Sequence, residues 1–395
     1  MTLADTAHEA EKGGLRIDPL GIVVAVVALF GLATPFAVYK ANRIVPGDGL
    51  WLWQVLPPAE TVLGVAVILG AIGFAVIRID ARWKLAVSSL GLAAMALLIG
   101  RAADGLMTPD NSYARTAFGT GFWLITFSLA LMLTDALSRL RLRALGRIGL
   151  LIVAVLLLYA LLASGVWNNL SILKEYDSRA PAFWQEARIH LLLAFGSVAI
   201  AVIIGVPVGV LCYKIEALRA SVLNGLNVIQ TIPSIALFGM LIAPLGWLAA
   251  NVPGASAAGI SGIGVAPAMV ALVAYALLPI VANTLVGLTG LPQASVEAAR
   301  GMGMTWRQRL FSVELPLAFP VMLTGVRIVL VQNIGLATIA ALIGGGGFGV
   351  FVFQGIGQTA IDLVLLGAVP TVVMAFAAAV LLDSLIEVVS GRRQA

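Results

Sequence analysis

The sequence predicts an all-α polytopic membrane protein with about ten transmembrane helices, and three observations carry this. Of the 395 residues, 61% are hydrophobic and only 11% are charged, where ordinary globular domains carry about 25% charged residues. The mean hydropathy is +1.04, more apolar surface than a water-soluble interior can hide. Finally, apolar runs close to the roughly 20 residues that a bilayer requires recur from one end of the chain to the other. The 42 glycines and 17 prolines fit this class, since both are more frequent in membrane helices than in soluble ones.

Residues 1–19 are polar, and the first apolar run is Leu20 to Val38. No convincing small-residue cleavage site follows it, so it reads as an uncleaved span and not as a signal peptide. Four further spans are predicted at Thr61 to Ile77, Leu85 to Gly100, Ala117 to Thr134 and Ile148 to Gly165. The third of the five is the shortest. A polar interval, Val166 to Ala187, reads as an external loop between two blocks of five. The second block is predicted at His190 to Tyr213, Val222 to Leu245, Val265 to Leu288, Leu317 to Leu342 and Leu363 to Val388.

With the N-terminus inside, sixteen of the 24 Lys and Arg fall on the cytoplasmic side and seven outside. Arg327 alone falls within a span. This bias puts both termini in the cytoplasm. It also accounts for the net charge of +5 through cytoplasmic loops, without nucleic acid as a partner. The single cysteine, Cys212, excludes an internal disulfide, and with only two histidines, His8 and His190, no Cys/His metal set can be assembled. No nucleophile–base–orienter cluster and no phosphate-binding GxxxxGK[ST] is present. The sequence therefore gives no catalytic residue, no metal site and no bound cofactor.

The longest polar interval of the C-terminal half is Glu297 to Pro316, EAARGMGMTWRQRLFSVELP. Lipid cannot satisfy it, so it belongs in water or against a protein partner. Gly303 divides it into two short helical pieces, and Pro316 suits the first turn of the next helix, where a missing N–H costs nothing. The pattern is EAA, three residues, Gly, nine residues, an aliphatic residue, one residue and Leu-Pro, carried by Glu297, Ala298, Ala299, Gly303, Val313, Leu315 and Pro316.

This resembles the cytoplasmic motif of the permease subunits of binding-protein-dependent ABC importers, with Val313 where the motif has Ile. The resemblance implies a five-helix type I ABC importer permease core at 188–395, with a coupling loop at 292–316 that docks on a cytoplasmic ATPase dimer. It implies that ATP and magnesium are bound by that ATPase and that this chain is not an enzyme. It further implies an external substrate-binding protein and a second permease subunit, as a homodimer or heterodimer, in the inner membrane. Residues 1–187 are then an N-terminal membrane extension of about five helices, which matches no motif. Four further stretches are similar to the osmoprotectant branch, which imports glycine betaine, choline and related quaternary ammonium compounds: Gly205–Gly209, Gln230–Ser234, Ala276–Ile280 and Ala340–Gly349. An amino-acid importer permease shares the coupling motif and is the alternative. An ion-coupled secondary transporter would need midplane acidic groups, of which only Asp383 is conceivable, and a membrane-embedded enzyme lacks its catalytic set.

Several residues are candidates for the translocation path or its gate. Gln230, Thr231 and Ser234 surround Pro233 in an apolar run, and polar groups there face protein or a water-filled path. Lining of the path and interhelical hydrogen bonding both fit. Arg327, roughly 16 Å into the bilayer from Pro316, needs a partner. Asp383 or freed carbonyls would pin it, or it serves a gate, with Gln332 and Asn333 a turn beyond. Like-charge repulsion argues against direct contact with a cationic solute. Gly205 and Gly209 form a small-xxx-small pair around Pro207, suited to close helix packing. Gly344 to Gly347 and Gly349 read as a flexible or close-packed external gate segment, with Gly355 and Gly357 continuing that loop.

Overall fold

The structure, a computed structural model, describes residues 17–43, 45–107, 111 and 113–391. His8, Lys12, Arg16, Arg392 and Arg393, and with them both termini, lie outside the described residues. The chain forms two compact units, Met1–Leu142 with Val153–Lys174, and Arg143–Ile152 with Glu175–Ala395. Among the described residues, nine helical segments are long and apolar enough to cross a membrane.

The first unit is a four-helix arrangement of α1 (Pro19–Leu32), α3 (Pro58–Val76), α4 (Ala81–Gly105) and α5 (Thr120–Leu140), with the short α2 (Leu52–Val55) between α1 and α3. Ile68, Met95, Ile99, Ile125 and Leu129 form its core. The predicted first span ends early, since α1 has only 14 residues. Pro35 disfavours helical backbone at the residue before it, and the chain turns instead into strand β1 (Ala37–Lys40). With β2 (Asp48–Leu50) and β3 (Arg115–Phe118) this makes a three-stranded antiparallel sheet in the order β2-β1-β3, with Ala37 opposite both Leu50 and Phe118. The apolar residues of β1 and β3 had read as span ends; alternation over four residues is too short to stand out beside them. The short predicted span Leu85 to Gly100 is the middle of the 25-residue α4.

At the other end of these helices a buried ion cluster ties α1, α4 and α5 together. The Asp18 carboxylate caps α1 and accepts from Lys84 Nζ at 2.6 Å and Arg139 Nη2 at 2.8 Å. Lys84 also donates to the Ala75 carbonyl at the end of α3. Burial pushes the Asp18 carboxyl up, but the hydrogen bond and charge of Lys84, with the charge of Arg139, outweigh it and hold the group below the usual carboxylate range. Such a cluster is costly to break on one side only, because the remaining charge stays buried and unpaired.

Helix α6 (Ala144–Ala163) is apolar apart from Arg147 near its start, and of its residues only Ala144 is buried. In the second unit its start is fixed by Glu387, which accepts from the Ala144 N–H at 3.0 Å and pairs with Arg147.

The second unit is organised around α7 (Ser171–Lys214), 44 residues in one helix, roughly 66 Å at 1.5 Å per residue. The interval expected as a loop at 166–187 is therefore largely helical. Its polarity does not end the helix; the Glu175–Arg179 pair at i,i+4 supports it there. The predicted span Val222 to Leu245 is broken into α8 (Glu216–Thr231), α9 (Ser234–Met240) and α10 (Ile242–Asn251). Helix α11 (Val265–Thr289) packs beside α7, where Gly205 and Gly209 allow close approach. A Cβ at either position would come within 2.8 Å of Ile280 and 2.6 Å of Thr284, respectively.

The chain continues through α12 (Gln293–Gly301) and α13 (Trp306–Arg309). A π-turn (Leu310–Glu314) leads on into α14 (Leu315–Leu336). A 3₁₀ turn (Ile339–Ile343) precedes the glycine run. Gly355 and Gly357, expected in a loop, lie on α15 (Gly349–Gly357). The last helix is α16 (Ile361–Gly391). Ala276, Ile280, Val329, Leu330, Ile334 and Ala378 bring α11, α14 and α16 into one core.

Arg327 of α14 donates to Asp383 of α16 at 2.8 Å. A mid-span Arg costs about 2.5–3.5 kcal/mol to insert, and the pair offsets part of that while fixing α14 against α16. Both side chains keep about a third of their surface open within the chain, so the coupling energy expected from a double-mutant cycle is modest, about 1 kcal/mol. Arg327→Met and Asp383→Asn should each lower the melting temperature in detergent, with the double variant less damaged than the two effects added. Strict additivity would show that the two charges do not support one another.

Candidate functional site

The polar segment between α11 and α14 folds on its own local rules. Helix α12 ends in a Schellman motif: Met304 N–H donates to the Ala299 carbonyl at 3.2 Å and Gly303 N–H to Arg300 at 2.9 Å. The motif requires left-handed backbone at Gly303, whose φ is +78°, a conformation that costs other residues. A Cβ on Gly303 would meet no atom of the chain within 4 Å. The glycine is therefore needed for its backbone, and the space beside it is free for a partner. The next piece, α13, starts with a capping box between Thr305 and Gln308.

One contact fastens this segment to the bundle and a second braces it where it enters α14. Lys214, the last residue of α7, lies over the Trp306 ring at 4.5 Å, a cation–π contact. Arg309 donates to the fully buried Glu314 across the π-turn at 2.5 Å. Beneath them Leu288, Leu310 and Ala318 form a small core with Tyr213, Leu315 and Met322 around it. Of the motif residues, Ala299 is buried, Val313, Leu315 and Pro316 are half-buried, and Glu297, Ala298 and Gly303 are exposed. Glu297 accepts from Gln293 one turn earlier at 2.7 Å. Two large apolar side chains stand out from the segment, Met302 at 70% and Phe311 at 67% exposure.

A second polar group sits at the break between α8 and α9. Pro233 forces Ile232 into extended backbone, ψ 127°. The freed Ile232 carbonyl is taken by the Tyr275 hydroxyl at 2.5 Å, and Gln230 Nε2 donates to the Tyr275 carbonyl at 2.9 Å. Gln230 thus locks the break to α11, while Thr231 bonds back to Val228 at 2.7 Å. Thr231 and Pro233 are exposed and Ser234 is half-buried, so this corner presents polar surface that the chain itself leaves uncovered.

The remaining candidates separate. Asn333 is wholly buried and donates to Ser197 Oγ at 2.7 Å and to the Leu272 carbonyl at 3.3 Å. It cross-ties α7, α11 and α14, and its side chain is enclosed by the chain on all sides. Gln332 is half-buried. Arg327 is held by Asp383 as described. The structure brings Gln230, Thr231, Pro233 and Ser234 together at one break, and the seven motif residues together in the 292–316 segment. Lys214, Trp306, the buried Arg309–Glu314 pair, Met302 and Phe311 escaped the sequence reading. A basic residue at a helix end and a tryptophan in the polar loop are the one signal that could have found the first two.

Residues 18–173 match the family described as the N-terminal domain of the ABC transporter permease YehY. The extension that shows no motif of its own is thus similar to a domain already known from a permease. Residues 201–394 match the family described as the inner membrane component of binding-protein-dependent transport systems. The osmoprotectant import permease protein OsmW of Salmonella typhimurium is 46% identical over 179 residues, 45% of this chain and 78% of that one. The osmoprotectant import permease protein OsmY of the same organism is 36% identical over 236 residues, 59% and 89% of the two chains. The carnitine transport permease protein OpuCB of Listeria monocytogenes is 35% identical over 192 residues, 49% and 79%. Together with the spaced motif on its own small core, these matches show that the chain belongs to the inner-membrane components of binding-protein-dependent transport systems and is a multi-pass permease subunit of an ABC importer.

Proposed function

We propose that this permease imports osmoprotectants of the glycine betaine and choline type. The observation that carries the substrate class is the 46% identity with OsmW across 78% of that protein, with relatives named for carnitine and for glycine betaine, carnitine and choline behind it. Residues 188–395 are the transport core and 1–187 its membrane extension. A second permease subunit completes the path, an external binding protein delivers the solute, and a cytoplasmic ATPase dimer binds ATP and magnesium. This chain holds neither. The 292–316 segment and both termini face the cytoplasm, in line with the distribution of Lys and Arg.

In this reading Met302 and Phe311 are the apolar anchors that enter the ATPase surface, with the exposed Arg300 and Arg307 beside them. The Lys214–Trp306 and Arg309–Glu314 contacts make the segment move with α7 and α14. Thr231, Pro233, Ser234 and Gln332 line the path, while Gln230 and Arg327 hold the helices that form it.

Cells without their own osmoprotectant uptake, given this chain with its partners, should accumulate labelled glycine betaine, and excess unlabelled choline should compete. Uptake of labelled amino acids with no betaine accumulation would assign the chain to the amino-acid importers instead. The backbone requirement at Gly303 gives a second test. Gly303→Val puts a β-branched residue in left-handed backbone, a strain of about 1–3 kcal/mol, and uptake should fall about tenfold or more at an unchanged membrane level. Gly303→Asn, which tolerates that conformation, should keep most of it. Parental uptake by Gly303→Val would remove the segment from the coupling machinery.

A further inference from the structure

The end of the glycine run is held against one face of α7. Gly346 and Gly347 have left-handed backbone, φ +74° and +84°. The turn they form presents two successive N–H groups to the helix. Gly347 N–H donates to Glu186 Oε2 at 2.6 Å, and Phe348 N–H donates to His190 Nδ1 at 3.3 Å. The other ring nitrogen of His190 meets the Ile334 carbonyl at 3.0 Å. A carbonyl only accepts and an amide N–H only donates, so both bonds coexist when the neutral ring carries its proton on Nε2.

Phe183, Glu186 and His190 recur at three- and four-residue spacing and so share one face of α7. The Phe348 ring packs against Phe183 and His190 at 5.3 and 5.1 Å. A Cβ at Gly346 would come within 2.9 Å of the Glu186 carboxylate, and one at Gly347 within 3.1 Å of His190. Glycine is required here by the closeness of the latch as well as by φ.

The same helix carries Lys214 on Trp306 at its far end. His190 and Lys214 are 24 residues apart in unbroken helix, roughly 36 Å, about the thickness of a bilayer. We infer that Glu186 and His190 are positioning residues for transport: they latch the 344–347 turn shut on α7, on the membrane side opposite the coupling segment, and so stabilise the arrangement seen here against the one in which ATP is hydrolysed. Weakening a bond made in one of two states raises the population of the other, so the latch sets how strictly hydrolysis waits for a loaded binding protein. The inference rests on the proposed ATPase partnership but not on the identity of the solute.

The test uses the assembled transporter with Glu186→Gln, whose amide oxygen still accepts from Gly347, and Glu186→Ala, which cannot. Hydrogen exchange is read on the peptide spanning 344–350, and ATP hydrolysis is measured without binding protein. Glu186→Ala should exchange at Gly347 and Phe348 about tenfold faster than the parent and hydrolyse ATP about threefold faster. Glu186→Gln should stay near the parent in both. If Glu186→Ala does not accumulate, Glu186→Asp, one methylene shorter, carries the same comparison. Unchanged exchange would overturn the latch. Faster exchange with unchanged hydrolysis would reduce it to a structural staple. Equal damage in Glu186→Gln would make the charge, and not the bond, the working element. A chain that assembles with no ATPase would fail the partnership proposal, while the exchange measurement would still decide the latch.

Discussion

Lipid offers no hydrogen-bond partner, so any polar or irregular backbone inside the membrane must be satisfied by the chain itself. In the second unit several polar or irregular features are met by the chain in this way. Pro233 breaks a span, and Tyr275 and Gln230 close the gap. Arg327 sits deep on α14, and Asp383 meets it. Asn333 is spent on Ser197 and Leu272. The glycine turn exposes amide donors, and Glu186 and His190 receive them. Each of these bonds joins stretches far apart in sequence. Groups that would be costly alone therefore become the points at which the bundle is fastened.

These fastenings matter because helices in lipid lack the hydrophobic drive that packs them in water. Close approach at Gly205 and Gly209 gives α7 and α11 a shared surface. The polar ties then give that surface a fixed register. Helix α7 has ties along its length: Glu186 and His190 to the glycine turn, Ser197 to Asn333, and Lys214 to Trp306. In the proposed coupling, a continuous helix with such ties would carry displacement from the ATPase side to the opposite side without a chain of small side-chain moves.

The family was legible from one spaced motif, because its residues answer to local requirements that a sequence displays. Gly303 is needed for left-handed backbone, Ala299 is buried in the first helix, and Leu315 and Pro316 open the next. The long apolar spans were legible for the same reason that lipid demands them. The pairing of Arg327 with Asp383 could be named because few ionisable groups occur in the spans. Other features were hidden. The helix through 171–187 was masked by its polarity, since hydropathy reports the solvent of a helix and not its length. The sheet near Phe118 depends on strands far apart in sequence. Glu186 and His190 gain their meaning from a turn some 160 residues away, and the buried Arg309–Glu314 pair looked like two loop charges. For the sheet and for Glu186 and His190 the deciding contact is non-local, and no spacing along the chain records it.

In the proposed coupling, the segment around Gly303 is where an ATPase grips this permease and moves it. A photo-reactive phenylalanine analogue placed at Phe311, exposed on that segment, and in a separate variant at Trp53, exposed in the first unit, tests this most directly. Illumination of the intact transporter should cross-link the ATPase subunit from position 311 and leave position 53 without an ATPase adduct. Cross-linking from 53 with none from 311 would contradict the account.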